Sequence, residues 1–154
     1  MPYKHIGDFN SNLGEGEVAF LERVRPILRA FSDKTGFEAC AAIAKDKSGT
    51  HFGVILGSTE SHLGCAIYPA KVPDGMTYTG VSIHSHGGTR SFNMSKADKI
   101  LMGFNPENIN LIPVHGQDLY HFSPTDYKSG PGYLATPTGL IFQNGTVESE
   151  SVIQ

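Results

Sequence analysis

The sequence predicts an α/β chain of the α+β kind, and three observations carry that reading. An amphipathic helix pattern stands near the start, with Val18, Leu21, Val24, Leu28 and Phe31 at three- and four-residue spacing. Short strand-like runs follow, each closed by a turn signal. Eighteen Gly and nine Pro in 154 residues supply those turns and keep the elements short. The length fits one domain, expected over 15–145, with a flexible lead-in at 1–14 and a frayed tail at 146–154.

Taken in order, residues 15–31 form the helix, with Pro26 expected to kink or break it. Residues 37–44 and 51–56 read as a hairpin across a D-K-S-G turn. The run 62–69 reads as another strand, and Pro73-Asp74-Gly75 as a turn before the strand 78–84. A short helix is expected over 96–102, stopped by Gly103. Residues 110–114 contain Pro113 and suit an edge strand, with 119–122 as its partner. The Gly- and Pro-rich stretch 123–132 reads as a loop long enough to cover a cleft. Residues 133–135 and 140–143 complete the fold as a last hairpin.

Composition narrows the function. A net charge of −3 and a pI near 6.1 argue against a nucleic-acid surface. No run approaches the ~20 apolar residues of a membrane span, and the polar residues 1–12 hold no secretory signal core. A cytoplasmic location is the expectation. Cys40 and Cys65 sit in apolar runs and read as buried free thiols.

The chemistry concentrates in V-S-I-H-S-H-G-G-T-R-S-F-N-M-S-K-A-D, residues 81–98. His84 and His86, two apart on a strand, point to one face and can reach one ion. With the Asp98 carboxylate they make a three-ligand set that leaves a position open, as at catalytic zinc sites. Ser95 could donate to an oxyanion. Ser95 and Asp98 also read as a helix-capping pair. Ser123-Pro124-Thr125-Asp126 repeats the S-x-x-D pattern with no H-x-H before it and reads as a turn or cap only. A general base must come from elsewhere. Glu38 is the candidate, because a carboxylate in an apolar strand needs a partner; Glu22 and Glu60 look solvated. The remaining histidines, His62 among them, read as surface or structural residues.

An H-x-H followed by a short loop and S-x-x-D resembles the signature of the JAMM (JAB1/MPN/Mov34) metalloproteases. The resemblance implies a cytidine-deaminase-like fold, a mixed curved β-sheet with flanking helices. It implies a zinc ion held by His84, His86 and Asp98, with Ser95 at the oxyanion and Glu38 on an early strand as general base. It further implies hydrolysis of peptide or isopeptide bonds. The sequence departs from the family pattern twice: the stretch 87–94 is one residue longer than usual, and Gly87 stands where Pro is common. The motif's flavour and the run 132–139 are similar to JAB-like domains of bacterial Rhs-type toxins, which implies a protein or peptide substrate, a cognate immunity protein, and delivery as part of a larger secreted protein. Two alternatives stay open: a non-catalytic scaffold of the same fold, and another metal-dependent hydrolase such as a nuclease. The β-lactamase-like pattern H-x-H-x-D-H fails at Gly88. A (β/α)₈ barrel needs about 250 residues, and the deaminase pair H-x-E and P-C-x-x-C is missing.

Overall fold

A computed structural model describes residues 3–109 and 112–153. It is an α+β fold built on one seven-stranded mixed sheet with few helices. The elements are β1 (Lys4–Asn10), α1 (Glu17–Thr35), β2 (Ala39–Lys45), β3 (Phe52–Ser58), β4 (Thr77–Ser85), β5 (Ser91–Phe92), α2 (Lys96–Leu101), β6 (Val114–His115), α3 (Pro124–Lys128), β7 (Gly132–Ala135), β8 (Leu140–Gln143) and β9 (Ser151–Val152). The sheet runs β1-β3-β2-β4-β7-β8-β9, antiparallel throughout except where β4 and β7 pair in parallel.

The parallel pair organises the molecule. Parallel neighbours need a long crossover, and residues 86–131 supply it with α2, the small β5–β6 ribbon and α3. Both ends of that crossover therefore meet at the same edge of β4.

Helix α1 lays Phe20, Leu21, Val24 and Leu28 on one face of the sheet, against Ala41, Ile43, Val54, Leu56, Ile83 and Leu140. Pro26 lies on its exposed side, and the helix continues through it to Gly36, because packing of the opposite face outweighs one lost hydrogen bond. Strand β2 is buried up to Lys45 and built almost wholly of small residues. Its odd-numbered side chains (Ala39, Ala41, Ile43) enter the core under α1, so Cys40 and Ala42 face the other way. In β4, Ile83 joins the same core, and Ser85 bonds Ser32 of α1 at 2.7 Å. His84 and His86 consequently project to the face away from α1. A second apolar cluster of Phe122, Leu134 and Ile141 covers part of that face.

Several expectations change. Residues 4–10 are not a loose lead-in; they form β1, paired with β3 along the sheet edge. The tail contributes β9, paired with β8. Residues 62–69 form no strand; they fold irregularly across the face that carries the histidines. Cys65 lies in that segment and is joined to Cys40 in a disulfide, which corrects the free-thiol reading. The free-thiol expectation placed Cys65 on a strand of its own; because 62–69 instead folds over the sheet face, Cys65 comes to Cys40 with 6.0 Å between their α-carbons. Residues 119–122 also form no strand, and β6 pairs with β5 instead. Asn110 and Leu111, in the expected edge strand, lie outside the described residues. No helix among the described residues is long and apolar enough to cross a membrane.

Candidate metal centre

Register brings the site together. Strands β2 and β4 pair Ala39 with Ser85 and Cys40 with His84, so Glu38, one residue before β2, comes level with His86. The ligand atoms of Glu38, His84 and His86 lie within 4.8 Å of one another, and this buried cluster can hold a metal ion. The two Nε2 atoms are 3.0 Å apart. A carboxylate oxygen, Oδ2 of Asp126, stands 3.2 Å from each of them.

The donor triangle passes a simple test of fit. Tetrahedral zinc with bonds of about 2.0 Å sets its ligand atoms about 3.3 Å apart, close to the edges found here. The His86 tautomer is fixed as well. Its Nδ1 donates to the Asp118 carbonyl at 2.6 Å, which leaves Nε2 with a bare lone pair facing His84. That lone pair can take a proton from His84 Nε2 or bind a cation placed between the two rings. The Arg29 guanidinium, buried in α1, donates to the His86 carbonyl at 2.8 Å and holds the end of the strand.

The loop beyond His86 explains Gly87. Its α-carbon lies against the backbone of Gly36 at the end of α1, and a Cβ there would collide with the Gly36 carbonyl oxygen. Neither proline nor any side chain fits there.

Asp98 is fully buried, but its carboxylate is consumed elsewhere. It accepts from Ser61 Oγ at 2.6 Å, the His62 amide at 2.8 Å, His62 Nδ1 at 2.6 Å and the Ser95 amide at 3.0 Å. His62 is itself stacked on Phe92, with ring centroids 4.2 Å apart. Asp98 and Ser95 therefore form the capping box of α2 and a structural network, and the structure does not bring them to the histidines. The residues brought there are Ser123 and Asp126, the capping box of α3. The sequence held the signal, a second S-x-x-D, but the 36 residues 87–122 between it and the H-x-H hid the connection.

Electrostatics separates the carboxylates. Burial pushes Glu38 up to about 8; His86 opposes this, and Asp126 and Asp98 add to it. One oxygen of Glu38, Oε2, is buried with no hydrogen-bond partner among the described residues. Burial would raise Asp126 too, but the His84 and His86 imidazoles beside it hold it well below the usual carboxylate range. The site opens into a cavity of about 260 Å³, bounded by Glu38, His84 and Asp126 on one side and by Cys65–Ile67 and Ser129, Gly130 and Gly132 on the others. The disulfide from Cys40, two residues beyond Glu38, ties down one wall. Gln143 of β8 ties down the other, its amide donating to the Gly130 carbonyl at 2.6 Å.

No protein-family model, curated protein or solved structure matches the chain.

Proposed function

We propose that this chain is a zinc-dependent peptidase or isopeptidase of the JAMM type, with His84, His86 and Asp126 as metal ligands and Glu38 as general base. One observation carries the proposal: two imidazole nitrogens and a carboxylate oxygen form a triangle of 3.0 to 3.2 Å edges beside a buried glutamate with an unpaired oxygen. Zinc bound to the three would act as a Lewis acid on the scissile carbonyl and acidify water. Glu38 supplies the proton traffic. As the ionised carboxylate it takes a proton from the attacking water and releases it to the departing amine nitrogen; without the metal, burial holds its carboxyl up at about 8. Asp126, held ionised, is the anionic ligand. Arg29 and the Asp118 carbonyl fix where His86 points. Ser123 replaces Ser95 as the serine of the motif; its Oγ accepts from the Asp126 amide at 3.3 Å. A toxin role, an immunity protein and delivery within a larger protein belong to the same reading, through the motif's likeness to Rhs-type domains.

The test is metal content and turnover together. The purified protein should carry about one zinc per chain, and His86→Ala should lose it. Glu38→Gln should keep the zinc and lose hydrolysis by a factor of roughly 10² to 10⁴. A wild-type protein that takes up no zinc, even when zinc is added, rejects the proposal.

A further inference from the structure

A second hollow adjoins the metal centre. It holds about 450 Å³ and lies between the irregular segment 59–66 and the end of α2. Its apolar walls are Leu63, Leu101 and Met102, and none of its lining side chains is charged. It shares a wall with the candidate catalytic cleft, because Cys65 and Ala66 line both. Two further lining residues anchor it to the site: Thr125 precedes Asp126, and Gln117 precedes Asp118, whose carbonyl orients His86. Leu101 and Met102 stay 49% and 43% exposed, an unfavourable use of large apolar side chains unless something covers them. In the same wall Thr59 is 2% exposed, and its Oγ1 has no hydrogen-bond partner among the described residues.

We propose that this hollow is a specificity subsite, which receives a large aliphatic side chain of the peptide substrate beside the scissile bond. The inference rests on the peptidase reading and names the substrate class for it. An uncharged apolar pocket of this size selects by area removed from water, and it rejects acidic or basic side chains through the cost of stripping their water. The wall shared with the cleft favours a substrate side chain over a separate protein partner: a peptide seated in the cleft along Cys65 and Ala66 has this hollow beside it.

Hydroxamates of single amino acids test this without turnover, since the hydroxamate group chelates zinc and the side chain samples the hollow. Calorimetry on the zinc-loaded full chain would compare leucine, glycine and aspartate hydroxamates. Leucine hydroxamate should bind about tenfold or more tighter than glycine hydroxamate, and aspartate hydroxamate no tighter than glycine. Met102→Asp, at an exposed helix end where folding is not at risk, should abolish the leucine preference and leave glycine hydroxamate affinity unchanged. Equal binding of leucine and glycine hydroxamates overturns the subsite while leaving the metallopeptidase standing. So does a leucine preference that survives Met102→Asp. A zinc-loaded protein that binds none of the three overturns the hydrolase reading and the subsite with it. A dimer that Met102→Asp dissociates, with no leucine preference, assigns the hollow to self-association instead.

Discussion

Two short helices in this chain begin with the same device and serve different ends. Helix α2 opens with Ser95-Lys96-Ala97-Asp98 and α3 with Ser123-Pro124-Thr125-Asp126. Each forms a full capping box, the serine hydroxyl accepting from the aspartate amide and the aspartate carboxylate accepting from the serine amide. Beyond the cap they diverge. Asp98 gives its remaining capacity to Ser61 and His62. Asp126 turns the same oxygen that accepts from the Ser123 amide toward His84 and His86. Four residues determine a cap, but only the sheet determines what the cap's carboxylate faces.

Removing each carboxylate should break the comparison most sharply. Asp126→Asn should cost at least about 100-fold in zinc affinity, since even outer partners of a metal ligand cost 10- to 100-fold, with little loss of fold. Asp98→Asn should do the reverse. It leaves the buried Ser61 and His62 groups poorly matched, a destabilisation of roughly 3 kcal/mol, while zinc affinity changes little. Competition against a chromogenic chelator and urea denaturation of the same samples read the two effects. A zinc loss confined to Asp98→Asn would restore the assignment expected from sequence spacing.

That expected assignment shows what the sequence could and could not say. His84, His86 and Glu38 were legible because each depends on local pattern: period-two alternation places the histidines on one face, and a lone carboxylate in a run of alanines marks a buried group that needs a partner. The mixed sheet under one amphipathic helix was legible for the same reason. The third carboxylate was not, because it reaches the histidines only through the parallel pairing of β4 with β7, a contact that closes after a crossover of 46 residues. The disulfide was hidden likewise. Cys65 meets Cys40 because the segment after β3 folds over the sheet face instead of joining it as a strand. The edge strands β1 and β9 have little hydrophobic alternation of their own and are specified by the partners they find.

Acid titration sharpens the comparison at the next scale of effect. Burial works against the charge on Asp98, but the bonds from His62, Ser61 and Ser95 win and hold its carboxyl at about 2, below the ordinary value of 3.8. A depressed acid stabilises the fold above its unfolded pKa, and the contribution disappears as pH falls through the folded value. Wild type should therefore lose stability between about pH 4 and pH 2 more steeply than Asp98→Asn. Glu38 has the opposite sign. Its folded pKa of about 8 exceeds the ordinary value of 4.5, so with zinc removed by a chelator the fold should lose stability as pH rises from about 4.5 to 8. Glu38→Gln should flatten that slope. Urea midpoints measured across both windows decide; a wild-type profile that is level from pH 4.5 to 8 would remove the case for a protonated buried Glu38.

The smallest effect isolates the caps themselves. Ser95→Ala and Ser123→Ala each delete a hydroxyl that accepts one backbone amide, and each should cost about 1 kcal/mol of stability. The local chemistry is the same, so the thermal shifts should match closely. Zinc affinity should not match. With its cap loosened, Asp126 has more freedom to leave the position 3.2 Å from both imidazoles, whereas Asp98 has three other bonds and no metal to hold. A modest loss of zinc affinity, a few-fold, is expected for Ser123→Ala alone. If both substitutions leave zinc affinity untouched, the α3 cap only shapes its helix, and the position of Asp126 is held by the Gln143 amide, which donates to the Asp126 carbonyl at 3.4 Å. If both lower it equally, the two helices are coupled through the Asp98 network, and the division of labour between them is less complete than their hydrogen bonds indicate.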